Sequence, residues 1–157
     1  MKRITYNCKI DDDVIKKYGL RNADERQFDF YMMVYLNSPD GWSQYGYSFE
    51  PVERDPRVFI RLCSGDTIDK TCEIKEDLSC AELGGRHIYF SAKRWFHGSS
   101  ASKLSLDDYR QYVVSHEMGH ILGKEHEKCP CKGCPAPIMM QQTRGIAQCN
   151  PNTNVKG

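Results

Sequence analysis

The sequence predicts an α+β fold, and three observations lead to this prediction. Short segments with apolar residues at alternate positions indicate strands, and two longer segments with apolar residues at helical spacing indicate helices. The part of the chain after Gly123 is rich in Gly, Pro, Cys and Asn, which indicates an irregular tail. The order is therefore strand, helix, several strands, helix and tail. With 157 residues the chain has the size of one domain, so we expect residues 1–157 to form a single domain.

Four segments have the alternating pattern of β-strands: RITYNCKI, YSFEPVE, RVFIRLC and RHIYFSA. The charged segment DDDVIKKYG, which follows the first of them, is expected to be a solvated turn that ends at Gly19. Asn22 is then expected to cap a helix that stops before Pro39. The core face of that helix repeats at helical spacing and consists of Phe28, Tyr31, Met32, Tyr35 and Leu36.

The segment SLDDYRQYVVSHEMGHIL predicts a second, longer helix. Ser105 is a suitable N-cap, and Asp107 and Asp108 suit the positive end of the helix dipole. Gly123 is expected to end the helix, because glycine adopts the left-handed conformation that turns the chain away.

Charge and hydropathy exclude two classes of partner. With 22 basic and 21 acidic residues the net charge is +1, so we expect no binding to nucleic acid or to an anionic membrane surface. No apolar run approaches the roughly 20 residues that a membrane span needs. The start, MKRITYNCKIDDD, has two basic residues but no apolar core, and it is not a signal peptide as it stands.

Three histidines and one glutamate at the end of the second helix indicate a catalytic zinc site. His116 and His120 are four residues apart, so both imidazoles leave the same face of a helix and can reach one zinc ion. Glu117 points beside the metal, where it can take a proton from water. The turn at Gly123 can bring back His126 as a third ligand, which leaves one coordination position open.

The alternative is a helix that is merely rich in histidine. The chain has 12 glycines and 5 histidines, so the Gly and His beyond the H-E-x-x-H core would both match by chance about once in 400. Buried histidines without a metal would also need polar partners. These considerations favour the zinc site.

The segment HEMGHILGKEH is similar at every demanded position to the metzincin signature H-E-x-x-H-x-x-G-x-x-H. Metzincins also have a methionine-bearing turn below the metal (the Met-turn), and PAPIMMQQT is a candidate for it. Within this clan the chain most resembles a family of mostly secreted bacterial zincin-like domains of uncharacterised function. The resemblance covers roughly Phe28 to Asn152, and three segments carry it: YRQYVVSHEMGHILGKEH, GGRHIYFSAKRW, and CPAPIMMQQTRG followed by a Cys and NPN.

This resemblance implies a zincin-like fold of the metzincin type. A mixed five-stranded sheet would lie over a backing helix that begins near Asn22 and an active-site helix that carries the histidines, and the irregular C-terminal segment would form the Met-turn. Met139, not Met140, would be the Met-turn residue. The substrate would lie along an edge strand above the cleft. Gln141 stands where several metzincin families have a tyrosine near the metal, so the resemblance does not extend to that tyrosine.

The activity that the resemblance implies is zinc-dependent peptide-bond hydrolysis, as in a zinc metalloendopeptidase acting on a peptide or protein. One catalytic Zn²⁺ would be held by His116, His120 and His126. Glu117 would serve as general base and then as general acid. Two alternatives are a catalytically weak binding module on the same scaffold and a zinc hydrolase of non-peptide amides.

Eight cysteines allow two different arrangements. In an oxidising compartment they favour disulfides, and in a reducing one they favour thiols or metal ligands. A closed zinc site formed by four of them is one possibility: Cys129, Cys131, Cys134 and Cys149. The family resemblance implies instead that two pairs form disulfides: Cys72 with Cys80, and Cys129 with Cys149.

If the resemblance gives the correct two disulfides, Cys131 and Cys134 remain as a C-x-x-C pair, which could form a local disulfide or bind metal. Cys8 and Cys63 lie on predicted strands, where buried free thiols are expected. The number of cysteines and the family resemblance favour a secreted protein.

Overall fold

The computed structural model describes residues 2–73 and 76–157, and its strands form one mixed sheet. The strands are β1 (Lys2–Ile10), β2 (Tyr47–Pro51), β3 (Val58–Cys63), β4 (Cys80–Ala81) and β5 (His87–Ser91). The helices are α1 (Asp12–Tyr18), α2 (Asn22–Leu36), α3 (Gly65–Cys72), α4 (Ala92–His97) and α5 (Leu106–Ile121). The predicted α+β class and the five-stranded mixed sheet are confirmed. Within the described ranges, no helix combines the length and apolar character required to cross a bilayer.

The strand order across the sheet is β2-β1-β3-β5-β4. In this order the strands from β2 to β5 run parallel to one another. The last strand, β4, pairs antiparallel to β5 through Cys80↔Tyr89 and Ala81↔Ile88. The four strands predicted from alternation are confirmed as β1, β2, β3 and β5. The two-residue strand β4 was not predicted, because it is too short for a period of two to be visible. It nevertheless forms an edge of the sheet.

The core lies between the sheet and two helices, α2 and α5. Phe28 and Met32 of α2 are buried in one apolar cluster with Val114 and Met118 of α5. Most of α5 is buried, including its polar residues from Ser115 to Glu117. The helix that was predicted to carry the histidines therefore runs through the interior. Its polar side chains lie in the core for this reason.

The segment predicted as a solvated turn is a helix, α1. Acidic residues occupy its first turn and basic residues its last, which suits the helix dipole. Val14 is fully buried, so one side of this charged segment faces the core. Gly19, at φ 61°, caps the helix in the left-handed conformation. The charge run thus forms the exposed side of a helix.

The start of α2 differs by one residue from the prediction. Asn22 is the first helical residue, and Arg21 is the N-cap. The backbone N–H of Arg21 donates to the Asp24 carboxylate at 2.8 Å, which satisfies a donor at the helix start. Asn22 is therefore the first helical residue and not the cap, and the Asp24 carboxylate satisfies the N–H of the residue that takes the cap position.

Candidate metal centre

Three histidine side chains meet at the end of α5. His116 and His120 lie on the same face of the helix, and Gly123 at φ 90° turns the chain so that His126 returns towards them. One ring nitrogen from each lies within 4.8 Å of the others. The Nε2 atoms of His120 and His126 are 3.1 Å apart. Two nitrogens bound to one tetrahedral zinc are about 3.3 Å apart, given Zn–N bonds of about 2.0–2.1 Å. The donor set therefore fits one zinc ion.

Backbone carbonyls orient two of these rings. Nδ1 of His116 lies 2.8 Å from the carbonyl oxygen of Ile138, and Nδ1 of His120 lies 2.8 Å from that of Lys124. A carbonyl only accepts, so Nδ1–H donates in each ring and Nε2 keeps its lone pair for a metal. Burial lowers the pKa of His116 to about 3 and also lowers the pKa values of His120 and His126. In all three rings, burial therefore favours the neutral form that a ligand needs.

Glu117 follows the first histidine and is buried beside the cluster. It lines a cleft of about 640 Å³ together with the three histidines. Burial, which removes the carboxyl from water, raises the pKa of Glu117 to about 8. The positive charge of a metal ion at the histidines would lower this pKa and favour the carboxylate. The arrangement places a buried carboxyl group next to three histidines that could hold a metal ion.

An edge strand borders the same cleft. Cys80 and Ala81 of β4 line it together with Leu78, and β5 pairs with only one side of β4. The open side of such a strand can hydrogen-bond an extended peptide. The N–H of Gly84 donates to the carbonyl oxygen of His120 at 2.8 Å, which ties the strand's continuation to α5. The cleft is therefore bordered by a strand edge that is held at a fixed position relative to the histidines.

Met139 packs against the helix between the histidines. Its side chain is buried, and a Cβ on Gly119 would collide with its sulfur and lie 2.9 Å from the ring of Trp42. Gly119 therefore lets Met139 and Trp42 approach the backbone of α5. Gly119 was not predicted as part of the site, although a glycine inside a helix is itself a sign of close packing.

Replacing Met139 by leucine is expected to cost less than about 1.5 kcal/mol in the free energy of unfolding and to leave bound metal unchanged, because the two side chains have similar volumes. Denaturant unfolding and metal analysis of the purified variant test this. The neighbouring change Met140→Leu, at a half-buried position, is the matched control. Loss of metal from Met139→Leu alone would mean that the sulfur is a ligand.

Tyr112 connects the Met139 segment to the first histidine. Its fully buried hydroxyl donates to the carbonyl oxygen of Met140 at 2.9 Å and accepts from the backbone N–H of Gln142 at 2.9 Å. The same oxygen lies 3.4 Å from Nδ1 of His116. This contact was not predicted from the sequence, although Tyr112 stands four residues before His116 on the same helix face.

Replacing Tyr112 by phenylalanine is expected to weaken zinc binding by about 10–100-fold, the usual cost of losing a group that orients a ligand. Competition with a chelator measures this affinity. The matched control is Tyr109→Phe, because Tyr109 is also buried on α5 and its hydroxyl bonds Thr143 at 2.9 Å. Equal losses in both variants would show that Tyr112 acts through general stability.

Six cysteines are paired in the structure. The joined pairs, with their Cα–Cα distances, are Cys72–Cys80 at 6.0 Å, Cys129–Cys149 at 5.8 Å and Cys131–Cys134 at 5.4 Å. Cys8 and Cys63 are free thiols, and burial raises the pKa of both. In the described part of the chain, the three histidines are the one group of side chains close enough to hold a metal ion. Because Cys129, Cys131, Cys134 and Cys149 are all paired, the closed four-cysteine zinc site is not formed in the structure.

Several solved structures are similar to this chain. A crystal structure of myroilysin is 21% identical, with a TM-score of 0.47, and the match covers 85% of this chain and 48% of that one. A second structure of myroilysin is 20% identical, with a TM-score of 0.47 and coverages of 85% and 46%. Archaemetzincin from Archaeoglobus fulgidus is 16% identical, with a TM-score of 0.43 and coverages of 96% and 96%. This chain spans about half the length of the myroilysin chains.

Similarity at this level assigns no activity. No curated protein matches the chain in sequence. A family pattern does match, and it extends over residues 2–154, nearly the whole chain. The chain belongs to the family described as protein of unknown function (DUF3152).

Proposed function

We propose that the chain is a zinc-dependent endopeptidase whose single catalytic domain, residues 1–157, has the metzincin fold. One observation carries the proposal: three neutral histidines converge with free nitrogens in a cleft that also contains the buried Glu117. A closed structural site would have four protein ligands, whereas the described residues offer three here, which would leave one coordination position free. A carboxyl beside that position has a use only if a proton is moved there.

The ligands in this proposal are His116, His120 and His126. A zinc ion, when bound, polarises a carbonyl group and lowers the pKa of a water molecule from 15.7 to about 7. The carbonyl oxygens of Ile138 and Lys124 hold two of the rings in the required orientation. Met139 supports the site from beneath the helix, as the Met-turn residue of the proposed fold.

In this proposal, Glu117 transfers protons and β4 positions the substrate. Glu117 accepts a proton from the attacking water and donates it to the amine that leaves. The open side of β4 aligns the substrate backbone, so that the scissile carbonyl lies over the histidines. This hydrolysis requires no serine or cysteine nucleophile. The substrate class is an extended peptide or an exposed segment of a protein.

The cysteine pairs support secretion as the setting for this activity. Disulfides persist in oxidising compartments and are rare in the cytosol. Cys72–Cys80 joins α3 to the edge strand, and Cys129–Cys149 closes the segment that contains Met139. Both pairs therefore stabilise a wall of the cleft, which suits an enzyme that works outside the cell.

Digestion of an unbiased peptide library tests the proposed function. We expect internal peptide bonds to be cleaved by the protein, cleavage to stop when a chelator removes the metal, and cleavage to return when zinc is restored. Mass spectrometry of the products identifies the cleaved bonds. A zinc-loaded protein that cleaves no peptide in the library would contradict the endopeptidase assignment.

A further inference from the structure

A second cavity, of about 490 Å³, lies between β1, the end of β2 and α2. We refer to it as the α2 groove, and its lining consists of Tyr6, Asn7, Cys8, Asp29, Phe30, Met33, Pro51, Val52 and Glu53. It shares no residue with the cleft that contains the histidines. Its volume lies within the range of about 300–1,000 Å³ that is usual for ligand sites.

The groove forms where β2 stops pairing with β1. The register between these strands ends at Tyr6↔Pro51, and proline cannot continue the ladder because it has no N–H. Val52 still donates its N–H to the carbonyl oxygen of Tyr6 at 2.8 Å. Beyond this point β1 continues as far as Ile10, but β2 no longer pairs with it.

The helix side of the groove is apolar and exposed. Phe30, Met33 and Val34 follow the i, i+3, i+4 spacing and form a second apolar stripe on α2, next to the one that enters the core. Phe30 is 56% exposed and Met33 41% exposed, both large fractions for such side chains. Two of the three, Phe30 and Met33, line the groove, which offers an apolar surface to the stem of an occupant.

The charge of the groove has one sign. Asp29 and Glu53 line it, and no lysine or arginine is among its described lining residues. Partial burial raises the pKa of Asp29, and the charge of Glu25 adds to this effect. The buried hydroxyl of Tyr6 has no hydrogen-bond partner among the described residues. The described lining therefore carries two carboxylates and one unpaired hydroxyl with no cation beside them, and a cationic N–H donor would complement it.

We propose that the α2 groove binds a basic side chain of a protein partner, with its aliphatic stem on Phe30 and Met33 and its cationic head at Asp29. Charge complementarity selects this occupant, because carboxylates and an apolar wall together match a lysine or arginine side chain. The site is separate from the histidine cleft, so the proposal does not depend on the peptidase activity.

Binding of a lysine peptide to the full chain tests this. The probe is acetyl-Leu-Lys-Leu-amide, and its neutral counterpart carries Nε-acetyllysine. Both are titrated by NMR at low salt with a chelator present, so that metal-dependent cleavage does not interfere. We expect the lysine peptide to bind at least about tenfold more tightly than the acetyllysine peptide and to shift the amide signals of Asn7, Cys8 and Phe30. Its affinity should fall as added salt screens the charges.

Asp29→Asn is expected to remove the preference for lysine. Asp13→Asn, the same chemical change on α1 and outside the groove, is expected to keep it. Equal affinities of the two peptides, or signal changes confined to the histidine cleft, would overturn the proposal. Tighter binding of hexylammonium than of the lysine peptide would also overturn it, because the site would then serve a small amine instead of a protein.

Discussion

Replacing Glu117 by glutamine is expected to lower peptide turnover by about 10²–10⁴-fold, the contribution usual for a positioned general base. Glutamine has nearly the same shape as glutamate but cannot accept the proton of the attacking water. Because Glu117 is proposed as a catalyst and not as a ligand, the variant should keep its fold and its zinc. Its buried position beside His116 is the physical basis for this expectation.

The decisive measurement is zinc content and peptide turnover on the same preparation. Glu125→Gln is the matched control, because Glu125 lines the same cleft but is exposed to solvent. We expect this control to retain most of the activity. Retained zinc with wild-type turnover in Glu117→Gln would remove Glu117 from the mechanism. Loss of zinc would make it a ligand or a structural support.

Replacing His120 by alanine is expected to weaken zinc binding by more than about 100-fold. The change removes one of three ligands, and losing only an outer partner of a ligand already costs about 10–100-fold. A chelator competition assay measures the affinity. His87→Ala is the matched control: His87 lies on β5, and its Nδ1 pairs with Glu82 at 2.7 Å, outside the cluster.

The control should bind zinc with wild-type affinity. If His120→Ala bound zinc as tightly as the wild-type protein, the metal would have to be held elsewhere. Two zinc ions per wild-type chain would revive the alternative of a second site at the cysteines. Zinc binding that responds to His120→Ala and not to His87→Ala would support the proposed ligand set.

The sequence predicted those elements whose periodicity is long enough to be visible. The strands β1 and β3 alternate over six or more residues, and α2 and α5 run for 15 and 16 residues. The helix α1 was missed because its charged residues outnumber its one fully buried side chain, Val14. The short helices α3 and α4 and the strand β4 depend on tertiary contacts more than on local pattern.

The candidate site was predictable where helical geometry alone determines it. The spacing of His116 and His120 places both rings on one face of any α-helix. The contacts of Tyr112 with the segment around Met140, and of Gly119 with Met139, depend on how an irregular segment folds against α5. No periodic pattern determines such a segment, so its hydrogen bonds appear only in three dimensions.

X-ray absorption at the zinc edge of the purified native protein is the most direct test of the central proposal. The proposal predicts one zinc per chain, with three imidazole nitrogens at about 2.0–2.1 Å, one further oxygen ligand and no sulfur. Sulfur scattering at about 2.3 Å would place the metal on cysteines, and four protein ligands would make the site structural. Either result would contradict a catalytic zinc at His116, His120 and His126.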